Sequence, residues 1–165
     1  MWKRTILVLI AVIMPVAFLS CIPSSTFQSY WLDEDYGIED LEPGRKDIIL
    51  TARKYLGVRY RRGGRSPEGF DCSGFVSYVF GERGISLPRS AHNQYKKGKK
   101  VSDDSVMPGD LIFFNINGRS ISHVAIYVGK DRFIHAPSNG KKVSYASMED
   151  EYWRRTYVGC ATYIE

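Results

Sequence analysis

Three side chains able to support nucleophilic chemistry stand in distinctive settings: a cysteine in "GFDCSGFV" (69–76) and histidines in "SHVAIYV" (122–128) and "RFIHA" (132–136). Cys72 lies where a Gly-rich loop gives way to apolar residues. Cys72, Phe75, Val76, Val79 and Phe80 fall at i, i+3, i+4, i+7 and i+8, one face of a helix. Asp71 is suited to cap that helix and Gly84 to stop it. Cys72 is therefore expected in the first turn, on the buried side, where unpaired N–H groups and the positive end of the dipole favour a thiolate. Asp71 opposes this, because a neighbouring carboxylate raises a thiol pKa. Either a base supplies what the dipole does not, or Asp71 faces elsewhere, for instance toward a substrate amine.

His123 and His135 are twelve residues apart, with Gly129 midway. A hairpin around Gly129 with a three- or five-residue loop pairs His123 directly with His135. It pairs Ala125 with Phe133 on the same face, and Val124 with Ile134 on the other. Opposed Cβ atoms lie roughly 4.5–5.5 Å apart, so one imidazole can orient the other. Nucleophile, base and orienter are the parts of a covalent hydrolytic site. Two histidines at this spacing alone would suit a half-exposed hairpin; the cysteine at a helix start turns the reading toward chemistry. Cys72, His123 and His135 are also three possible zinc ligands. The chain has no C-x-x-C or H-x-x-x-H pair, however, and no metal or cofactor is expected. Cys160, in "YVGCATYI", reads as a small buried hydrophobe. The competing possibility, in an oxidising compartment, is a Cys72–Cys160 disulfide. His92, on a short polar helix capped by Ser90, reads as a surface or cleft-rim residue.

The elements around these residues change character along the chain. "DIILTARKYLG" places Ile48, Ile49, Ala52, Tyr55 and Leu56 at helical spacing, with Gly57 ending the helix. The second half reads as strands at 110–115, 122–129, 132–136, 141–146 and 156–164, with Asp110 as a strand-start residue. Helices first and an antiparallel sheet afterwards predict an α+β domain. Upstream, Lys3 and Arg4 precede 14 apolar residues, Ile6–Leu19, short for a membrane span and suited to a signal sequence. Ser20-Cys21 resembles a bacterial lipobox, in which Cys21 would be lipidated; an ordinary secretory signal or an uncleaved anchor are the alternatives. The expected organisation is a signal segment 1–20, a lipidated Cys21 with a linker to residue 45, and a folded domain 46–165. Removing residues 1–20 lowers the formal charge from +5 to +3, which gives no reason to expect a nucleic-acid partner. A monomer is expected.

"DCSGFV", "SHVAIYVG" and "FIHA", in that order, resemble the NlpC family of bacterial cell-wall cysteine peptidases. The resemblance extends to "YLGVRYRRGG", "LPRSAHNQY" and "MPGDLIFF" and covers about residues 46–165. It implies a papain-like fold and endopeptidase activity on peptidoglycan stem peptides. The bond would be D-glutamyl–diamino acid or the D-alanyl–diamino acid cross-link. It implies Cys72 as nucleophile, His123 as base, His135 as the third polar residue and Tyr60 as a hydroxyl near the oxyanion. Asp71, Ser73, Arg89 and Ser90 would line the substrate cleft. A lipid-anchored position in the cell envelope follows, at the outer membrane facing the periplasm if Gram-negative sorting applies. Arg61, Arg62, Arg65 and the run 96–100 are candidates to meet stem-peptide carboxylates. A wall-binding scaffold with little turnover is the alternative function. A related acyltransferase fits less well, since the His commonly precedes the Cys there, and related amidases usually carry Asn or an acid where His135 stands.

Overall fold

The computed structural model of the chain describes residues 38–138 and 140–165. The candidate signal segment, Cys21 and the linker as far as residue 37 lie outside them. Helix α1 spans Pro43–Lys54, followed by a small hairpin of β1 (Arg65–Ser66) and β2 (Gly69–Phe70). Helices α2 (Cys72–Gly81) and α3 (Ala91–Lys97) come next, then strands β3 (Lys99–Val101), β4 (Leu111–Phe114), β5 (His123–Gly129), β6 (Arg132–His135) and β7 (Ser144–Ser147). A last short helix, α4 (Glu151–Thr156), runs directly into β8 (Tyr157–Thr162). Six strands form one antiparallel sheet in the order β3-β8-β4-β5-β6-β7. The α+β expectation holds.

Alternation along the strands gives the sheet two apolar faces. Leu111, Phe113, Val124, Ile126 and Ile134 face α1 and α2, which contribute Ile48, Ile49, Ala52, Phe75, Val76, Val79 and Phe80. Ile112, Phe114, Ala125, Phe133 and Cys160 point the other way, against Trp153, Met148 and Tyr157. The folded part begins earlier than Lys46. Pro43 occupies the start of α1, where its missing N–H costs no bond, and the Gly44 N–H donates to Glu42 Oε1 at 3.2 Å. Ile38 is buried in the core and Leu41 packs against it, so residues 38–45 belong to the domain rather than to a linker. Asp110 does more than begin a strand: it is buried, pairs with Arg45 Nη1 at 2.8 Å and accepts from the Met107 N–H at 2.9 Å.

The β5–β6 register differs from the expected one. The pairs are Ile126 with Ile134 and Tyr127 with Phe133, with a shift before Gly129 meets Arg132. The turn is the two residues Lys130 and Asp131, with φ of 48° and 55°, the left-handed pair of a tight hairpin turn. The loop is thus shorter than anticipated, and a bulge at Val128 absorbs the difference. Continuing the register sets His135 across from Ala125, diagonal to His123. Both histidines nevertheless keep one face, because the displacement is an even number of residues.

Candidate active site

The N–H of Gly74 donates to Asp71 Oδ1 at 2.7 Å, so Asp71 caps α2 as its position suggested. The helix start is pressed against the Gly-rich loop. A Cβ on Gly74 would lie 2.0 Å from the Gly64 carbonyl oxygen, which explains the glycine two residues after the cysteine. α2 packs its apolar face on β5 and delivers Cys72 to the start of that strand. Cys72 Sγ lies 3.9 Å from the carbonyl oxygen of Ser122, one residue before His123. Both Cys72 and Cys160 are free thiols, and Cys160 lies on the far face of the sheet, with Sγ 3.1 Å from the Val101 carbonyl. Burial pushes the Cys72 thiol pKa up, and the Asp71 carboxylate adds to this. The backbone N–H groups of Val124, Ser73 and Cys72 itself pull the other way without winning. At this helix terminus desolvation outweighs the dipole, so a base must take the thiol proton.

His123 Nε2 and His135 Nδ1 are 2.9 Å apart, and both rings are buried. The diagonal placement costs nothing, since long side chains reach across it. Burial lowers the His123 pKa to about 4. Burial, then the charges of His123 and Lys141, lowers that of His135 to about 3. Both imidazoles are neutral at pH 7, and the bond between them defines the tautomers. If His123 Nδ1 is to accept a proton, Nε2–H must donate and His135 Nδ1 must accept, which puts the His135 proton on its Nε2.

Trp153 was not singled out in the sequence. It stacks on His123 with ring centroids 5.4 Å apart and meets His135 edge-on at 4.9 Å. It also contacts Phe114 and Phe133. α4 holds this indole over the hydrogen bond of the histidine pair and limits its access to water. The sequence signal is one tryptophan in a short stretch after Asp150, whose carboxylate accepts from the Tyr152 N–H at 2.8 Å. Gln94 was also passed over. Its Nε2 donates to the Ser73 carbonyl at 3.1 Å, Ser77 Oγ at 3.0 Å and the Pro88 carbonyl at 2.9 Å, tying α3 to α2.

A cleft of about 410 Å³ opens over Cys72, lined by Tyr60, Arg62, Asp71, Ser73, Arg89, Ser90, His92 and Ser122 among others. Asp71, Ser73, Arg89 and Ser90 are among the lining residues, whereas Arg61 and Arg65 are not. Asp71 is held by a protein cation: the Arg89 fork reaches it with Nη1 3.0 Å from Oδ1 and Nη2 on Oδ2, and Nη1 lies 2.9 Å from Ser73 Oγ. The Gly63 N–H adds a bond to Oδ2 at 3.1 Å. Ser90 caps α3 through the Asn93 N–H at 3.3 Å. Burial, with the charges of Cys72 and Asp71, raises the Tyr60 pKa, so its hydroxyl remains a donor. The run 96–100 does not line the cleft. Lys100 Nζ turns back to the Tyr95 and Gly98 carbonyls and lies 4.2 Å from the Tyr95 ring centroid.

A thiol at a helix N-terminus, brought to the end of an inner strand of an antiparallel sheet, is the arrangement of the papain-like class of α+β domains. Within that class the sequence narrows the assignment. The NlpC/P60 family model matches residues 57–162, and the chain belongs to that family. It is 47% identical over 112 residues to the "Probable endopeptidase p60" of Listeria seeligeri, a match covering 68% of this chain and 21% of that protein. It is 42% identical over 138 residues to the "Gamma-DL-glutamyl hydrolase" of Bacillus subtilis, covering 79% of this chain and 33% of the relative. The chain therefore spans between a fifth and a third of these two relatives. A crystal structure of an NlpC/P60 family protein from Bacillus cereus superposes with a TM-score of 0.71 at 34% identity, covering 76% of this chain and 42% of that one.

Proposed function

We propose that the protein is a peptidoglycan endopeptidase that hydrolyses stem-peptide bonds through a Cys72 thioester. The observation that carries this reading is the 2.9 Å bond between His123 Nε2 and His135 Nδ1. It leaves Nδ1 of His123 available at the end of β5 where the Cys72 thiol lies. Thiol and imidazole rest neutral, because burial disfavours each charge alone and the two charges offset one another only as a pair. When the substrate carbonyl enters, the thiol proton passes to His123 Nδ1 as Sγ bonds to the carbonyl carbon. His135 Nδ1 accepts from Nε2–H and steadies the imidazolium. The Cys72 N–H and the Tyr60 hydroxyl stabilise the oxyanion. The tetrahedral adduct collapses, the C–N bond breaks, and the amine leaves with the proton from His123. Water then gives a proton to His123 and adds to the thioester. Collapse releases the carboxylic acid, and Sγ recovers its proton.

The D-glutamyl–diamino acid bond is the favoured substrate, supported by the name of the B. subtilis relative, which matches over 79% of this chain. Digestion of purified sacculi followed by mass analysis tests it. Fragments ending in D-glutamate are expected, whereas release of uncut stem peptides joined no longer by cross-links would assign the D-alanyl bond. We further propose that Cys21 is lipidated and holds the domain in the cell envelope. Cys21→Ser should then move the protein to the soluble fraction; a variant retained in membranes would make residues 1–20 an uncleaved anchor. Among the described residues, no helix is long and apolar enough to cross a membrane.

A further inference from the structure

The face of the sheet that carries the histidine pair holds a second hollow, further along the strands. Ile112, Tyr127 and Tyr157, with Val106 and Met148 beside them, floor a cavity of about 400 Å³. All five belong to the apolar cluster on this face. His123 begins β5 and Tyr127 lies four residues along it, roughly 13 Å away at 3.3 Å per residue. Among the described residues, none lines both this cavity and the Cys72 cleft. The rim carries one sign of charge in excess: Asp103, Asp131 and Glu149 stand against Arg154. All four are exposed, and none forms an ion pair with another described residue. The Tyr157 hydroxyl donates to Asp103 Oδ1 at 2.6 Å, which leaves the carboxylate its charge. This acidic rim belongs to a chain whose formal charge is +5, so it runs against the general surface.

We propose that this cavity is a binding site for a small organic cation with an apolar body, separate from the cleft and independent of the peptidase reading. Cavities of about 300–1,000 Å³, mostly apolar with a few placed polar groups, are what small ligands occupy. The floor takes the apolar body out of water, and the unbranched Met148 side chain adapts to its shape. The carboxylates attract the charge, and a tyrosine ring adds to this where the cation lies over its face. A bare metal ion fits less well, since among the described residues no three His, Cys, Asp or Glu stand close enough together to hold one. The chain's own residues 22–37 do not complement the rim either. They include Asp33, Glu34 and Asp35 and no Lys or Arg.

Calorimetric titration of the full chain in detergent, with protein-free micelles as the blank, tests it. Three probes share an indole body and differ in charge: tryptamine is a cation, tryptophol is neutral and indole-3-acetate is an anion. Tryptamine should bind about tenfold more tightly than tryptophol, indole-3-acetate least, and added salt should weaken tryptamine. Trilysine, which has the charge without the apolar body, should bind more weakly than tryptamine. Asp131→Asn/Glu149→Gln changes only exposed side chains and should weaken tryptamine about tenfold. Met148→Lys places the chain's own ammonium in the cavity and should abolish binding. Alkylation of Cys72 with iodoacetamide should leave the affinity unchanged, because the cleft is elsewhere. Absence of tryptamine binding, or an unaltered affinity in either variant, would overturn the proposal. So would tryptophol, indole-3-acetate or trilysine binding as tightly as tryptamine. Loss of binding on alkylation would also overturn it, by putting the amine in the catalytic cleft.

Discussion

Burial leaves His123 with a pKa of about 4 and His135 with one of about 3, against an ordinary 6.5. On the proposed mechanism the base works only when neutral. The sign follows: activity persists from neutral pH downward and falls as the pH drops through about 4, where His123 takes up a proton before the thiol can offer one. A pH–rate profile on a soluble stem peptide checks this. His135→Ala should lower kcat, but by less than loss of His123, because an orienter assists without reacting. His135→Asn should recover much of the loss, since an amide oxygen can still accept from His123 Nε2. Equal losses in the Ala and Asn variants would mean that His135 acts by filling space alone. Much at this scale was legible in the sequence. Cys72 and the histidine pair declared themselves by type and setting. The ionisation state did not, because it depends on how completely the sheet and α4 exclude water.

At the scale of the element, α4 and the β5–β6 hairpin decide how well the pair is held. The hairpin was readable as to strands and face, since parity survives an even displacement. Its exact partners were not, because a two-residue turn with a bulge and a longer turn without one satisfy the same alternation. α4 is six residues long, with exposed Arg154 and Arg155, too short for a helical period to register. It still places Trp153 against both imidazoles. Trp153→Ala should admit water to the histidine bond, move the acid limb of the rate profile upward toward 6.5 and lower kcat. Trp153→Phe should leave the limb near its original position. If Trp153→Ala lowered thermal stability and left the limb unmoved, the indole would be a packing residue only.

At the scale of the whole domain, α1 to α3 on one face of a six-stranded sheet and α4 on the other bring together residues that are 12 to 75 positions apart in sequence. Class and order of elements were legible, because helical and alternating periods occupy separate halves of the chain. The early start of the domain was not: Ile38 and Leu41 sit among acids and a proline, and only packing reveals them as core. Gln94 and the Arg45–Asp110 pair were hidden for the same reason, being polar contacts between distant segments. These contacts hold the Cys72 thiol at the start of β5, 3.9 Å from the Ser122 carbonyl that precedes His123. The most direct test is therefore release of fragments from purified sacculi by wild-type and Cys72→Ala protein of equal thermal stability. The wild type should release cut stem peptides and Cys72→Ala none above the enzyme-free control. Fragment release by Cys72→Ala at the wild-type rate would contradict the thioester mechanism outright.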